Sequence, residues 1–359
     1  MREVSLARVL RGTPAHGRIG LLSIWFHGHN NPRYAELLPR LERLDACLVR
    51  LSDRRIPRGL EYRIFRATRP LLYAGALRRA ARGYRSLLTL DVEQIAAFRG
   101  ALVADVDDPY YTERHARLLS RPNVRAYVVT AERAARRYES MGVETPWVVI
   151  PQGVSLRSAT TELRAEAARR RRPGRVVVGW MAAHLLSAGD PGADNPLYNV
   201  DHLLELWEEV HARAPLAELW LVGGAGERLR RRVEGRDDVV LLGRLPRERA
   251  LATAAAFDLS VYARTEDQGI RAAKISELIG LGVPIVSYDY EVTSDVREHG
   301  AGVLVDTPRE FVDAVVRLIG DDITRAELAA TARTAGAELD WDVLAARYET
   351  DVLERFLPF

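Results

Sequence analysis

The chain is poor in the residues that build covalent or metal-held frameworks. Cys47 is the only cysteine among 359 residues, which excludes a disulfide framework and a multi-cysteine metal site. No apolar run approaches the ~18 residues that a membrane span needs. The N-terminal segment lacks the long apolar core of a secretory signal. We therefore expect a cytoplasmic protein.

Lysine is almost absent as well. Of the 52 basic residues, 51 are arginine and one is Lys274. The net charge of +3 falls short of the clustered excess of a nucleic-acid module, so no nucleic-acid partner is expected. Lysine presents a compact point charge and arginine a planar fork, so the two differ in a tight phosphate site. Lys274 is thus a candidate phosphate ligand, with chance survival of one codon as the alternative.

Short apolar runs alternate with amphipathic segments, such as 32–44 and 200–213, along most of the chain. The runs occupy residues 18–26, 45–52, 85–92, 101–106, 125–130, 147–151, 175–181, 217–224, 239–245, 259–264, 284–289 and 301–305. Continuous runs of this length, spaced by helices, indicate parallel strands buried on both faces. Two such sets predict an α/β fold with two doubly wound, Rossmann-like domains.

The domain boundary follows the run at 147–151, where a segment with Pro, Gly, Ser/Thr and several arginines begins. We place one domain at 1–155 and the other at 156–340. No strand follows the amphipathic segment 341–359, which we expect to pack back onto the first domain. Residues 182–199 have no periodicity, and so long an irregular insert predicts a lid or binding loop.

The sequence contains two clusters of arginine. One consists of Arg78, Arg79, Arg82 and Arg85, and the other of Arg169, Arg170, Arg171 and Arg172. They offer two interpretations: peripheral contact with an acidic membrane face, or solvated helix ends.

Two junctions of the second domain carry candidate ligand-binding residues, because ligands bind outside the carboxyl ends of parallel strands. In the first, a strand ends at Gly223 and Gly224, and the helix after Gly226 offers N–H groups to an anion. Its G-G-x-G spacing is not the full dinucleotide pattern; the alternative is a tight turn.

The second junction has a polar loop, 265–269, followed by a helix expected from about Ile270 to Leu281. Lys274 and Glu277 share one face of that helix. The cation suits a phosphate and the carboxylate suits ribose hydroxyls. The alternative is a surface Lys–Glu pair.

The first domain offers His27, Gly28 and His29 after its first apolar run. Histidine is suited to act as a base or hydrogen-bond donor near neutral pH; a satisfied loop histidine is the alternative, and a metal site needs further ligands. At the end of run 101–106, Asp107 or Asp108 would position or deprotonate a hydroxyl. The alternative is a cap on a helix that starts at Pro109.

At this point the sequence resembles a known family. KISELIGLGVPIVSYD (274–289) is similar to the signature of GT-B-fold glycosyltransferases, especially family 4. Further segments agree with the family in order and spacing, and these are VVIPQGV (148–154), RVVVGWM (175–181), LWLVGG followed by VVLLGRLPRERALATAAAFDLSVYA, and REHGAGVLVDTPREFVDAV (297–315). The similarity covers about residues 100–359 well and the N-terminal third weakly.

The resemblance implies a GT-B architecture, with two domains facing a cleft, and transfer of a sugar from a nucleotide-diphosphate donor. It favours retention of configuration, and we expect the transfer to need neither a metal nor a cofactor. Carried over by position, Glu277 binds the donor ribose, Lys274 with the backbone at Gly269 and Ile270 meets the diphosphate, and Arg244 and Leu245 lie near the base.

The sequence departs from the family pattern at two places. The earlier of the family's two glutamates is replaced by Gly269, and the basic pair after the first strand of the second domain is missing. His184 lies there instead, and diphosphate binding then relies on Lys274 with Arg264 or Arg271.

Two other activities remain open, a non-catalytic nucleotide-sugar binder and a nucleotide-sugar epimerase on the same scaffold. The expected partners are a nucleotide sugar and a small-molecule, lipid or glycan acceptor, with the inner membrane face as an option.

Overall fold

The computed structural model describes residues 2–5, 19–24, 31–50, 84–107, 109–193, 199–266 and 272–357, together with positions 57, 60, 63 and 64. The chain divides into two compact units, of which one comprises Met1–Gln152 with Trp341–Phe359 and the other Gly153–Asp340. The division thus falls shortly before the predicted boundary at 155/156. Among the helices that the structure describes, none is long and apolar enough to cross a lipid bilayer.

The first unit contains a sheet of seven parallel strands. They are Arg2–Ser5 (β1), Ile19–Ile24 (β2), Leu44–Arg50 (β3), Ser86–Thr89 (β4), Ala101–Val106 (β5), Val124–Val129 (β6) and Trp147–Val149 (β7), in the order β1-β3-β2-β4-β5-β6-β7. Strand β1 was not predicted, because the edge segment REVS carries no apolar run.

Among the described residues that precede the second unit, the helices are Pro32–Leu37 (α1), Glu113–Leu119 (α2) and Glu132–Ser140 (α3). The helix expected over 32–44 ends early, in a 3-10 turn at Leu38–Arg40. Pro39 lacks the N–H that would continue the helical ladder.

The second unit contains six parallel strands in the order β10-β9-β8-β11-β12-β13. They are Val176–Leu185 (β8), Ala217–Ala225 (β9), Val239–Gly243 (β10), Leu259–Tyr262 (β11), Ile285–Tyr288 (β12) and Gly302–Val305 (β13). Its helices are Thr161–Ala168 (α4), Asp201–Arg213 (α5), Glu227–Val233 (α6), Arg247–Ala254 (α7), Ala273–Gly280 (α8), Ser294–His299 (α9), Pro308–Gly320 (α10) and Asp322–Glu338 (α11).

Each sheet is covered by apolar side chains on both faces. In β12, Val286 packs in a cluster with Phe311, while its neighbour Ile285 packs in another cluster with Leu251 and Ile275. Successive residues of a strand point to opposite faces. A strand buried on both faces therefore needs an unbroken apolar run, which is the pattern that predicted these strands.

The chain ends in helix Trp341–Tyr348 (α12) and a π-helical turn, Glu349–Glu354. Trp341, Leu344 and Tyr348 lie buried in one cluster with Leu21 of β2 and Val103 of β5. The C-terminal helix is therefore part of the core of the first unit.

Candidate functional site

Several predicted site residues lie outside the described residues. They are His27, Gly28, His29, Asp108, Gly269, Ile270 and Arg271, and their roles stay predictions. Arg78, Arg79 and Arg82 of the first arginine cluster also lie outside the described residues.

Lys274 lies in the first turn of α8. The helix begins at Ala273, not near Ile270 as expected, because the backbone of Ala272 is extended, with φ −90° and ψ 119°. No side chain caps the helix, and its first turn carries no acidic residue. A cation at the positive end of a helix is locally unfavourable, so this turn has a positive potential that an anion would stabilise.

A second cation lies close to Lys274, on the same aromatic ring. The Lys274 Nζ is 5.6 Å from the centroid of the Tyr262 ring, and the Arg264 guanidinium carbon is 5.0 Å from it. Trp180 of β8 stacks on Tyr262, with centroids 5.5 Å apart and planes at 11°. Arg264 is only 4% exposed. Two cations are thus gathered at the aromatic ring that ends β11.

The surroundings of Lys274 weaken its charge. The pKa of its ammonium is lowered from 10.5 to about 7. Burial is the largest cause and the positive charge of Arg264 adds to it, whereas the negative charge of Glu277 opposes the shift. A strongly lowered lysine pKa, caused by desolvation and a like charge, is typical of functional sites. An anion bound here would restore the full positive charge.

Glu277 lies one turn after Lys274 and is buried. Its Oε1 is 2.7 Å from Nη1 of Arg247, the first residue of α7. The alternative of a surface Lys–Glu pair is wrong, because the side chain of Glu277 is only 8% exposed. The structure thus places a buried carboxylate one turn from Lys274 and in contact with Arg247.

Arg244 and Leu245 form the connection from β10 to α7. Arg244 is exposed, while Leu245 is half-buried and packs against the cluster that contains Leu251 and Ile275. Their predicted proximity to a nucleotide base stays a prediction.

Gly223 and Gly224 lie inside β9, which continues to Ala225 rather than ending at the glycines. A Cβ at Gly223 would stand 2.3 Å from the carbonyl oxygen of Ala182, so the glycine accommodates the neighbouring backbone. Strand β8 likewise runs on to Leu185, and the exposed His184 pairs with Gly224. Residues 182–185 are therefore strand and not part of an irregular insert.

The start of α6 already holds a carboxylate. Asp190 is buried, and its Oδ1 accepts a hydrogen bond of 2.9 Å from the amide of Arg228. Its Oδ2 accepts one of 3.0 Å from the amide of Ser187. The described part of the predicted lid, 186–193, is thus tied to the helix whose amides the sequence offered to an external anion.

In the first unit, Asp107 follows β5 and is held by two amide side chains. Asn31 Nδ2 donates to its Oδ2 at 2.5 Å, and Gln152 Nε2 donates to its Oδ1. The helix-capping alternative for Asp107 is wrong, because α2 starts at Glu113 and Thr112 caps it.

The carboxylate of Asp105 is bound by buried side chains of its own unit. The fully buried Arg33 binds it through Nε and Nη2 at 3.3 and 3.2 Å. Tyr34 and Tyr348 donate their hydroxyls to it at 3.1 and 2.9 Å. Within the described ranges, no group of three or more His, Cys, Asp or Glu is arranged to hold a metal ion.

The arginine run 169–172 is largely matched by carboxylates of its own unit. Arg170 lies 3.5 Å from Glu166, Arg171 pairs with Asp258, and Arg172 pairs with Glu218. The positive charge of this surface is therefore smaller than the sequence alone indicates.

Sequence reasoning missed Arg247, Asn31, Gln152 and Trp180. Each acts next to a residue that is distant in sequence, and no local pattern marks them. Arg247 in particular is one of 51 arginines.

Comparisons with known proteins agree with this description. Residues 184–321 match the family model of glycosyl transferases group 1, which confirms the predicted resemblance over that segment. No curated protein sequence matches the chain.

The chain is also similar to solved structures. One is HepE from Anabaena in complex with UDP-glucose, with a TM-score of 0.65, 16% identity, and 94% and 100% of the two chains covered. Another is WaaG, a glycosyltransferase involved in lipopolysaccharide biosynthesis, with a TM-score of 0.63 and 11% identity; the match covers 95% of this chain and 100% of that one. A third is sucrose-phosphate synthase from Thermosynechococcus elongatus, with a TM-score of 0.64 and 15% identity; the match covers 94% of this chain and 99% of that one. The fold is therefore the two-domain α/β architecture of the GT-B type.

Proposed function

We propose that this chain, whose residues 184–321 match glycosyl transferases group 1, transfers a sugar from a nucleotide-diphosphate sugar to an acceptor hydroxyl. The observation that carries the proposal is the pair of cations, Lys274 and Arg264, on the Tyr262 ring. A diphosphate needs such a concentration of positive charge, and the pKa of Lys274, which burial and then the charge of Arg264 lower to about 7, would rise again beside an anion.

The proposed mechanism rests on leaving-group stabilisation. Negative charge builds on the diphosphate as the bond between sugar and oxygen breaks. The Lys274 ammonium, the Arg264 guanidinium and the first-turn amides of α8 are fixed where that charge develops, so they stabilise the transition state more than the ground state. In this proposal the side chains supply the charge, and the reaction needs neither a metal nor a cofactor.

The remaining assignments belong to the same proposal. HepE was solved with UDP-glucose, so a uridine nucleotide is the first donor to test. The two amides on Asp107 fix a carboxylate at the end of β5, where it would orient the hydroxyl of a small-molecule, lipid or glycan acceptor. From the sequence alone we assign His27 and Gly28 to the same reaction, which we propose to be a family 4-like transfer with retention of configuration.

The test compares Lys274→Ala and Arg264→Ala with the parent protein. Sugar transfer from UDP-, GDP-, ADP- and dTDP-sugars is measured, and donor binding is followed by the thermal shift of the folded state. We expect transfer to fall by two decades or more in each variant, about 3 kcal/mol, with the fold retained. Arg249→Ala, on the outer surface of α7, serves as the control.

The outcomes separate the competing functions. Full activity in both variants contradicts the site assignment. Conversion of the sugar nucleotide without any acceptor indicates an epimerase. Binding without transfer or hydrolysis indicates a non-catalytic protein.

A further inference from the structure

We propose that Arg247 is a positioning residue that fixes Glu277 for hydrogen bonding to the donor ribose, and that it thereby makes the site selective for ribose over deoxyribose. The inference rests on the proposed function, because it concerns the same donor site.

The geometry brings the two side chains together from separate helices. Arg247 opens α7 after β10, and Glu277 lies in α8 after β11, thirty residues later. Both helices pack on one face of the sheet, where Leu251 of α7 and Ile275 of α8 share a cluster. The 2.7 Å contact between Nη1 and Oε1 therefore joins two rigid elements. The orientation of the carboxylate is set by that contact as well as by its own helix.

The position of Arg247 is not explained by its own helix. It is the first residue of α7, where the N-cap is Pro246 and no side chain caps the free amides. The positive end of a helix favours acidic side chains and disfavours cations. The carboxylate of Glu277 offsets this unfavourable placement. Locally unfavourable choices of this kind are expected at functional sites.

The neighbouring Arg249 shows the contrast. It lies on the same helix, is half exposed, and approaches Glu166 at 3.5 Å. Exposed pairs of that kind contribute little. The pair of Arg247 with Glu277 differs because the carboxylate is 8% exposed and lies one turn from Lys274.

The chemistry follows from the two functional groups. A carboxylate offers only acceptors, and ribose presents two neighbouring hydroxyl donors. The guanidinium supplies the counter-charge that a buried carboxylate needs and fixes its plane through a directional contact. Loss of the guanidinium would let the carboxylate reorient, and the hydrogen bonds to ribose would weaken while the diphosphate contacts remain.

The experiment measures ribose selectivity, the ratio of the dissociation constants of the 2′-deoxy and ribo forms of one nucleoside diphosphate. UDP, GDP and ADP are titrated calorimetrically into the parent, and the tightest is compared with its 2′-deoxy form. We expect a parent ratio of about ten or more, the scale of one hydrogen bond to a charged group. Arg247→Ala should bring the ratio to within about twofold of unity, Arg247→Lys should restore part of it, and Arg249→Ala should keep it.

The outcomes are distinguishable. A parent that binds none of the three nucleotides overturns the proposed function and this inference together. Binding with an unchanged ratio in Arg247→Ala overturns the inference alone, as does equal weakening of both nucleotides. If Arg247→Ala does not fold, Glu277→Gln and Arg247→Lys decide by the same ratio, and parent-like selectivity in both overturns the inference.

Discussion

Donor binding at the proposed site should be coupled to protonation of Lys274, and the uptake of that proton can be measured. In the free protein, burial and the charge of Arg264 lower the pKa of Lys274 from 10.5 to about 7. The ammonium is then roughly half populated at pH 7. A diphosphate placed beside it adds opposite charge and raises the pKa again. Donor binding at or above pH 7 must therefore take up a proton.

The magnitude follows from the size of the shift. Only the protonated form binds the diphosphate well, so affinity falls as the pH rises above 7, by about tenfold per unit once the free amine is mostly neutral. From pH 7 to pH 9 the loss is about fiftyfold, or about 2.3 kcal/mol, provided that the pKa in the complex lies above that range. At pH 8, uptake approaches about 0.9 proton per site.

The assay is calorimetric titration with UDP-glucose in two buffers of different ionisation enthalpy. Both phosphates of this donor are diesters, so the ligand lacks the phosphate monoester that titrates near pH 6. The dependence of the heat on the buffer gives the number of protons taken up. In Lys274→Arg the cation stays charged throughout, and the uptake should vanish. Binding without uptake at pH 8 in the parent, or equal uptake in Lys274→Arg, would refute the reasoning.

Three further substitutions test how a buried ammonium, a buried hydrogen bond and a helix cap contribute to the stability of the fold. Lys274→Met removes an ammonium whose pKa is lower in the folded than in the unfolded chain. The melting temperature should therefore rise, most below pH 7 and less as the pH climbs towards 10.5; a rise independent of pH contradicts this linkage. Tyr348→Phe removes a 2.9 Å hydrogen bond to the buried Asp105 and should lower the urea-unfolding free energy by about 1 to 3 kcal/mol, whereas no loss shows that the bond is replaced. Asp190→Ala uncaps α6 and should cost about 1 kcal/mol in the same assay with unchanged UDP-glucose affinity; weaker binding would instead link this helix start to the donor.

The strands could be predicted because burial on both faces leaves a continuous apolar run. The segment REVS contains no such run, which is why the edge strand β1 was missed. An apolar run also does not show at which residue a strand begins or ends. Strand β8 continues to Leu185 through polar and small residues, because pairing with β9 holds it in the sheet.

The candidate site was predictable only as far as local chemistry reaches. Composition singled out Lys274, and a spacing of three residues placed Glu277 on the same helix face. The partner of Glu277 could not be found in this way, because Arg247 approaches from a different helix and is one arginine among many. Asp190 was missed for a similar reason, since packing alone brings an irregular segment onto the start of α6.

The charges of the donor site have a common explanation in the proposed ligand. Lys274 and Arg247 both occupy first turns of helices, where cations are disfavoured, and Arg264 is buried at a strand end. The carboxylate of Glu277 contacts Arg247, and its charge opposes the lowering of the Lys274 pKa. The free protein lessens the cost of burying Lys274 beside Arg264 by releasing the lysine proton near pH 7. A diphosphate diester carries two negative charges, so its binding would place opposite charge beside Lys274 and Arg264 and counteract the burial that lowers the lysine pKa.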